Sequence, residues 1–245
     1  MELNKNERID DLQFKGLKII QNKNGFCFGI DAVLLSDFAK DMKENAEVVD
    51  LCTGNGIIPI LLAGKTAARK IYGVEIQEDV AEMATRSIKL NSLEEKIEII
   101  NRDLNNIKDI IRAGSIDYVT VNPPYKKKGS GIINEKETKT ISRHEISCTL
   151  EDIIKESARI LKSGGNLYMI HKAERLVDIL YFMRKEKVEP KRIKFIHPST
   201  EKAPNLVLIE GTRSGNSFLK VDAPLYVYDK QGNYTKDIRN IYSMD

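Results

Sequence analysis

The stretch VTVNPPYKKK, Val119 to Lys128, closes a run of β-branched residues at Asn122 and continues with two prolines, a tyrosine and three lysines. Each of these residue types has a chemical use at that spacing. The carboxamide oxygen of Asn122 and the backbone carbonyl of Pro123 are two acceptors. The paired prolines hold them in a rigid extended turn, because proline lacks an N–H and has a fixed φ. Two acceptors converging on one planar amino group draw electron density onto its nitrogen and orient its lone pair. An amine conjugated to an aromatic ring needs that help before it can act as a nucleophile. Tyr125 adds a flat ring on which a base can stack, an interaction of about 1–3 kcal/mol. Pro124 borders the same turn, and Lys126, Lys127 and Lys128 would meet the phosphates flanking an extruded base.

A second constellation lies upstream, in VVDLCTGNGIIPILLAGK. Val48 to Leu51 is apolar and carries Asp50; Thr53, Gly54, Asn55 and Gly56 form a turn; Ile57 opens an apolar helical run. Gly54 and Gly56 let a ligand approach the backbone beside a helix N-terminus. Glu75 ends the next apolar run, just before Ile76, where its carboxylate can accept hydrogen bonds from both hydroxyls of a ribose. The spacing departs from the G-x-G-x-x-G of nicotinamide-binding turns, which cradles a pyrophosphate.

These residues need a scaffold that brings them to one edge. Short β-branched runs alternate with helical patterns from about Glu47 onward, which predicts a doubly wound α/β fold. Seven strands are expected: Val48 to Leu51, Ile71 to Val74, Ile97 to Ile100, Ile116 to Val121, Asn166 to Ile170, Ile193 to Ile196 and Leu206 to Ile209. The loop joining the last two contains no helix, so those strands should run antiparallel. Val80, Met83, Ala84 and Ile88 recur at helical spacing, as do Leu150, Ile153, Ile154, Ala158 and Leu161, and Leu176, Ile179, Leu180 and Met183. Thr149 and Asp152 form a capping-box pattern, and Gly164-Gly165 reads as that helix's stop. Residues 1–45 read as an extension with a hairpin turning at Asn-Lys-Asn-Gly and a short helix, AVLLSDFA, capped by Asp31. Residues 46–245 form the main domain, with PLYVYDKQGNYT as a further hairpin arm.

The chain has 245 residues and a net charge of +3, with a pI near 8.6, which is compatible with nucleic acid without requiring it. The basic stretch from Lys185 to Lys194 is a second candidate RNA contact. No apolar run is long enough to span a membrane, and the charged N-terminus does not resemble a signal peptide, so a cytoplasmic protein is expected. The three cysteines are widely spaced, without metal-binding or redox spacing, and are expected to be free thiols. No metal site is expected.

The acidic strand residue followed by two spaced glycines resembles the first motif of class I S-adenosylmethionine-dependent methyltransferases, with Cys52 where a glycine is usual. That resemblance implies a Rossmann-like, seven-stranded, mostly parallel sheet with an antiparallel last strand and helices on both faces. It also implies that Asp50, Thr53, Gly54, Gly56, Glu75, Ile76 and Asn122 line the cofactor site, and that Asp103 holds the adenine amino group. N-P-P-Y resembles three branches of amino-methyltransferases: adenine-N6 enzymes acting on nucleic acid, guanine-N2 enzymes acting on ribosomal RNA, and glutamine-N5 enzymes acting on release factors. The stretch from Asp11 to Ala39, the segment RHEISCTLEDIIKESARILKSGG and the tail GNYTKDIRNIY look like the bacterial tRNA1(Val) (adenine-37-N6)-methyltransferase family. The likeness implies S-adenosylmethionine as cofactor and a tRNA partner; a monomer is expected. It would place Gly29 and Asp31 over the methionine part of the cofactor, Asn122, Pro123 and Tyr125 on the target adenine, and Arg143 and His144 beside the RNA. A protein-glutamine methyltransferase and a non-catalytic RNA-binding protein are the competing readings.

Overall fold

The computed structural model describes residues 3–25, 29–125 and 148–244. Five apolar runs form a parallel array: β3 (Glu47–Leu51), β4 (Lys70–Glu75), β5 (Ile97–Asn101), β6 (Ile116–Val121) and β7 (Leu161–Lys172). They lie side by side in the order β5, β4, β3, β6, β7. Next to β7 runs β9 (Leu206–Arg213), antiparallel to it, and beyond that β8 (Val188–Ser199), antiparallel to β9. All seven expected strands are therefore present, and only β9 is reversed. Two short strands, β10 (Lys220–Val221) and β11 (Leu225–Tyr228), both pair parallel to β8 and bring the sheet to nine.

The apolar runs are continuous because both faces of the sheet are covered. Val48 belongs to one core cluster and its neighbour Val49 to the other, as the period of two requires. One face packs against α1 (Ile30–Phe38), α2 (Ile57–Lys65) and α3 (Glu78–Leu90), with α6 (Lys236–Ile241) behind them. The other packs against α4 (Leu150–Ile160) and α5 (Leu176–Lys185). The chain leaves β3, moves outward through β4 and β5, and returns to the opposite side of β3 as β6. That reversal opens a crevice at the carboxyl ends of β3 and β6, where ligands bind in sheets of this kind.

Several local expectations are corrected. The N-terminal hairpin pairs β1 (Glu7–Asp11) with β2 (Lys18–Asn22), so it turns at residues 12–17 and not at Asn-Lys-Asn-Gly. It is fastened to α3, where Ile20 N–H donates to Ser87 Oγ at 3.0 Å and Arg86 forms a two-pronged pair with Glu7 at 2.6 and 2.7 Å. Gly29, not Asp31, is the N-cap of α1. Gly164-Gly165 lies within β7, at an irregularity in its pairing with β6. A Cβ on Gly165 would stand 2.8 Å from the carbonyl oxygen of Asp117, so glycine there serves a close backbone approach. The capping box of α4 is present, with Thr149 and Asp152 bonded reciprocally. The tail's expected hairpin arm joins the large sheet as β11 and then turns back through a Tyr228–Tyr234 bridge.

Candidate active site

Asp50 is fully buried near the end of β3. Its Oδ1 accepts a hydrogen bond from Thr120 Oγ1 at 2.6 Å, while its Oδ2 and the hydroxyl of Thr53 are buried without a partner among the described residues. Burial pushes the carboxyl up to about 7, the hydroxyls of Thr120 and then Thr53 pull it down, and the Glu75 charge adds to the rise. Two orphaned polar atoms beneath a turn are a costly arrangement unless a ligand completes them.

The turn above them has a left-handed backbone at three positions, with φ of 58° at Cys52, 58° at Gly54 and 83° at Gly56. Nothing lies within 4 Å of where a Gly54 Cβ would be, which leaves an open cradle over the backbone. Cys52 occupies a conformation that favours glycine and holds it at a cost of about 1–2 kcal/mol. Its thiol meets that of Cys148 across a small cleft and is held well above the ordinary thiol range by that contact and by burial. Both cysteines are free.

That cleft is walled by Cys52, Glu75, Ile76, Asp103, Leu104 and Pro124 among others. Its surface joins apolar walls to two carboxylates, a composition suited to a flat heterocycle attached to a ribose. Glu75 is 1% exposed; its Oε2 accepts from Gly54 N–H at 2.9 Å and its Oε1 from Gln77 N–H at 3.0 Å. Each oxygen retains a second lone-pair direction for a hydroxyl. Asp103 caps a 3₁₀ turn through Asn105 N–H at 2.9 Å and lines the cleft.

Asn122 to Tyr125 leave β6 on the other side of the crevice, and Pro124 forms part of the cleft wall. The Tyr125 hydroxyl lies 2.6 Å from the Asn122 carboxamide oxygen and 2.9 Å from Asp31 Oδ2, so it reaches both acceptors. Burial, with the Asp31 charge next, pushes the Tyr125 phenol far above its ordinary range, which keeps it a neutral donor. Asp31 comes from the first turn of α1, and a Cβ on Gly29 would stand 2.8 Å from its Oδ1. The structure thus gathers Asp31, Asn122 and Tyr125 into one cluster, and Asp50, Thr53, Gly54, Gly56, Glu75, Ile76 and Asp103 into an adjoining one.

Two residues without an assigned role in the sequence complete the cluster. The His171 ring stands edge-on to Tyr125 at 5.3 Å, and Lys172 Nζ lies 5.3 Å from the centre of the Tyr125 ring. Burial, then the charge of Arg175, holds His171 down at about 4, and its Nδ1 accepts from Lys172 N–H at 2.7 Å, so the ring is neutral at pH 7. Only their position at the carboxyl end of a strand next to β6 could have signalled them. Lys126, Lys127, Lys128, Arg143 and His144 lie outside the described residues. The basic stretch from Lys185 to Lys194 falls at the opposite edge, where Lys185 pairs with Glu151 at 2.5 Å and Arg192 with Asp222 at 2.5 Å. Among the described residues no group of three or more His, Cys, Asp or Glu could hold a metal ion, and no helix is long and apolar enough to cross a membrane.

Comparison with known proteins agrees with this geometry. The family described as methyltransferase small domain matches residues 23–185. The tRNA1(Val) (adenine(37)-N6)-methyltransferase of Porphyromonas gingivalis is 26% identical over 206 residues, covering 82% of this chain and 80% of that protein. The protein of the same name from Tolumonas auensis is 27% identical over 205 residues, covering 80% of each. Among solved structures, a predicted O-methyltransferase from Agrobacterium tumefaciens superposes with a TM-score of 0.70 at 20% identity, covering 87% of this chain and 96% of that one. A tRNA m1G37 methyltransferase from M. jannaschii gives a TM-score of 0.62 at 17% identity, covering 88% of this chain and 59% of that one.

Proposed function

The chain belongs to the methyltransferase small domain family, and from that premise we propose that it methylates the exocyclic N6 of an adenine in RNA, using S-adenosylmethionine. The names of its relatives point to adenine 37 of a valine tRNA as the substrate. The observation that carries the reading is the meeting of Asn122 and Tyr125 with the glycine-turn cleft at the crevice between β3 and β6. The cofactor supplies an electrophilic methyl group when bound.

The residues present fit that cofactor. Glu75 is placed for ribose hydroxyls and Asp103 for the adenine amino group, with Ile76, Leu104 and Pro124 as apolar walls. The open cradle at Gly54 and the orphaned atoms of Asp50 and Thr53 leave room and unmet polarity below. Asp31 and Gly29 close the site from α1. The Asn122 carboxamide and the Pro123 carbonyl accept from the two N–H bonds of the target amine and turn its lone pair toward the reacting carbon. The Tyr125 hydroxyl now bonded to Asn122 gives way to that amine, leaving its ring to stack on the base. Once alkylated, the nitrogen is acidic enough to release its proton to water. Pro124, Lys126, Lys127, Lys128, Arg143 and His144 are assigned to the RNA. Residues 1–45 form the extension that carries Asp31 to the site, and 46–245 the methyltransferase domain. The reading is of a cytoplasmic monomer.

The test offers labelled S-adenosylmethionine with total tRNA from cells lacking this gene in one tube and unmodified peptide release factor in another. Label in tRNA alone supports the proposal. Label in the protein alone replaces it with glutamine methylation. Cofactor binding without transfer to either replaces it with a non-catalytic role.

A further inference from the structure

The carboxyl edge of the sheet divides at the crevice. On one side, β3, β4 and β5 present the cofactor cleft. On the other, the strand order β6, β7, β9, β8, continued by β11 against β8, extends the same edge past Asn122. Lys172 pairs with Leu206 across β7 and β9, Leu206 with Ile196 across β9 and β8, and Tyr228 with Ser199 across β11 and β8. Tyr228 therefore emerges on the edge that carries Asn122, four inter-strand steps away. At about 4.8 Å per step this is on the order of 19 Å sideways, with about five residues, roughly 16 Å, more along the strand direction, a span bridged by several nucleotides of single strand.

An aromatic stack occupies part of that span. The rings of Tyr228 and Tyr234 lie 5.3 Å apart at 16°, and those of Tyr234 and Tyr242 lie 5.9 Å apart at 14°. Its inner end lies towards α1, the helix that carries Asp31 and on which α6 packs; burial, the neighbouring Tyr234 and the Asp31 charge together push the Tyr242 phenol up to about 12. Asp31 is the carboxylate bonded to Tyr125. Tyr234 and Tyr242 pack against the main core cluster, which accounts for them structurally. Core packing does not account for Tyr228, which ends the stack at the surface with 42% of its area exposed. Lys230 and Lys236 are exposed nearby. The Asp229 carboxylate is turned to the backbone N–H groups of Gln231 and Asn233.

We propose that the Tyr228–Tyr234–Tyr242 stack is a platform on which an unpaired base of the RNA substrate, several nucleotides from the target adenine, stacks against Tyr228. The inference rests on the RNA methyltransferase reading and names a binding surface that reading leaves open. Every base has a flat π face, and an exposed ring ending a stack offers the complementary surface without demanding a particular sequence. The inner rings are held by the core, so the outer ring is positioned before RNA arrives and little ordering is required on binding.

The test compares wild type with Tyr228→Ala, Tyr228→Leu and Tyr228→Phe, using the unmodified anticodon stem-loop of a valine tRNA as probe. RNA affinity is read by fluorescence anisotropy, cofactor-site integrity by S-adenosylhomocysteine titration, and folding by thermal melting. The expected result is RNA binding weakened about five- to one-hundred-fold in the Ala and Leu variants, and nearly restored by Phe. Cofactor affinity and melting temperature should be unchanged. In a stem-loop carrying an abasic residue at the stacking position, the wild-type advantage should disappear. Unchanged RNA affinity in Tyr228→Ala would overturn the platform while leaving the function standing. So would equal losses in melting temperature and cofactor affinity, since these describe a packing role. A wild-type protein that methylates release factor and not RNA would overturn the function itself, and the platform with it.

Discussion

Replacing Asp50 by asparagine should flatten the pH dependence of folding stability in the cofactor-free protein. The wild-type carboxyl is fully buried, with one oxygen bonded to Thr120 and the other without a partner among the described residues. Burial raises it from an ordinary 3.8 to about 7 in the folded state. The folded protein thus holds this proton more tightly than the unfolded chain does. Its contribution is fully present below 3.8 and is lost as the pH rises through 7. Each unit is worth 1.36 kcal/mol, so the loss is about 4 kcal/mol between those limits. Asparagine keeps the shape and can keep the Thr120 bond, but it cannot ionise. Urea unfolding of both proteins at half-unit steps from pH 4 to 8 gives the difference in stability, from which groups common to both cancel. That difference should move by about 4 kcal/mol in favour of Asp50→Asn as the pH rises. Parallel curves would refute the reasoning, because they would mean that Asp50 is charged or hydrated in the folded state.

Glu7→Gln should destabilise the protein by about 1–3 kcal/mol at pH 7, through loss of the paired bonds to Arg86. The Arg86 bonds lower Glu7 from 4.5 to about 2, so this stabilisation is present above 4.5 and lost as the pH falls toward 2; urea unfolding across that window checks the sign. Cys52→Gly should relieve the left-handed backbone at 58°. About 1–2 kcal/mol is released and about 0.5–1 returned as glycine entropy, so calorimetry should show melting raised by a few degrees. Tyr125→Phe removes the hydroxyl bonded to Asn122 and Asp31 but keeps the ring, so methyl transfer should remain within about tenfold of wild type. Tyr125→Ala loses stacking worth about 1–3 kcal/mol and should fall further, with S-adenosylhomocysteine binding intact in both.

The central sheet was legible because its strands are covered on both faces and so read as unbroken β-branched runs. β1 was not, since ERIDD is largely exposed and polar, and its pairing with β2 is decided by contacts with α3 that lie far away in sequence. Gly164-Gly165 looked like a helix stop because glycine marks both helix ends and close backbone approaches, and only the position of Asp117 distinguishes them. The residues of the glycine turn and the cleft beside it were readable from local motifs, each on one loop. The bond between Asp31 and Tyr125 spans 94 positions, and His171 and Lys172 enter only because β7 lies beside β6. Local spacing carries no information about such neighbours.

In the proposed reaction Asn122 presents its carboxamide to an adenine N6 in RNA. The most direct test is nucleoside mass spectrometry of valine tRNA incubated with S-adenosylmethionine and either wild type or Asn122→Ala, with S-adenosylhomocysteine binding measured for both. N6-methyladenosine is expected with the wild type and its loss in the variant, cofactor affinity being unchanged. Undiminished N6-methyladenosine from Asn122→Ala, or its absence from a wild type that binds the cofactor, would contradict that expectation.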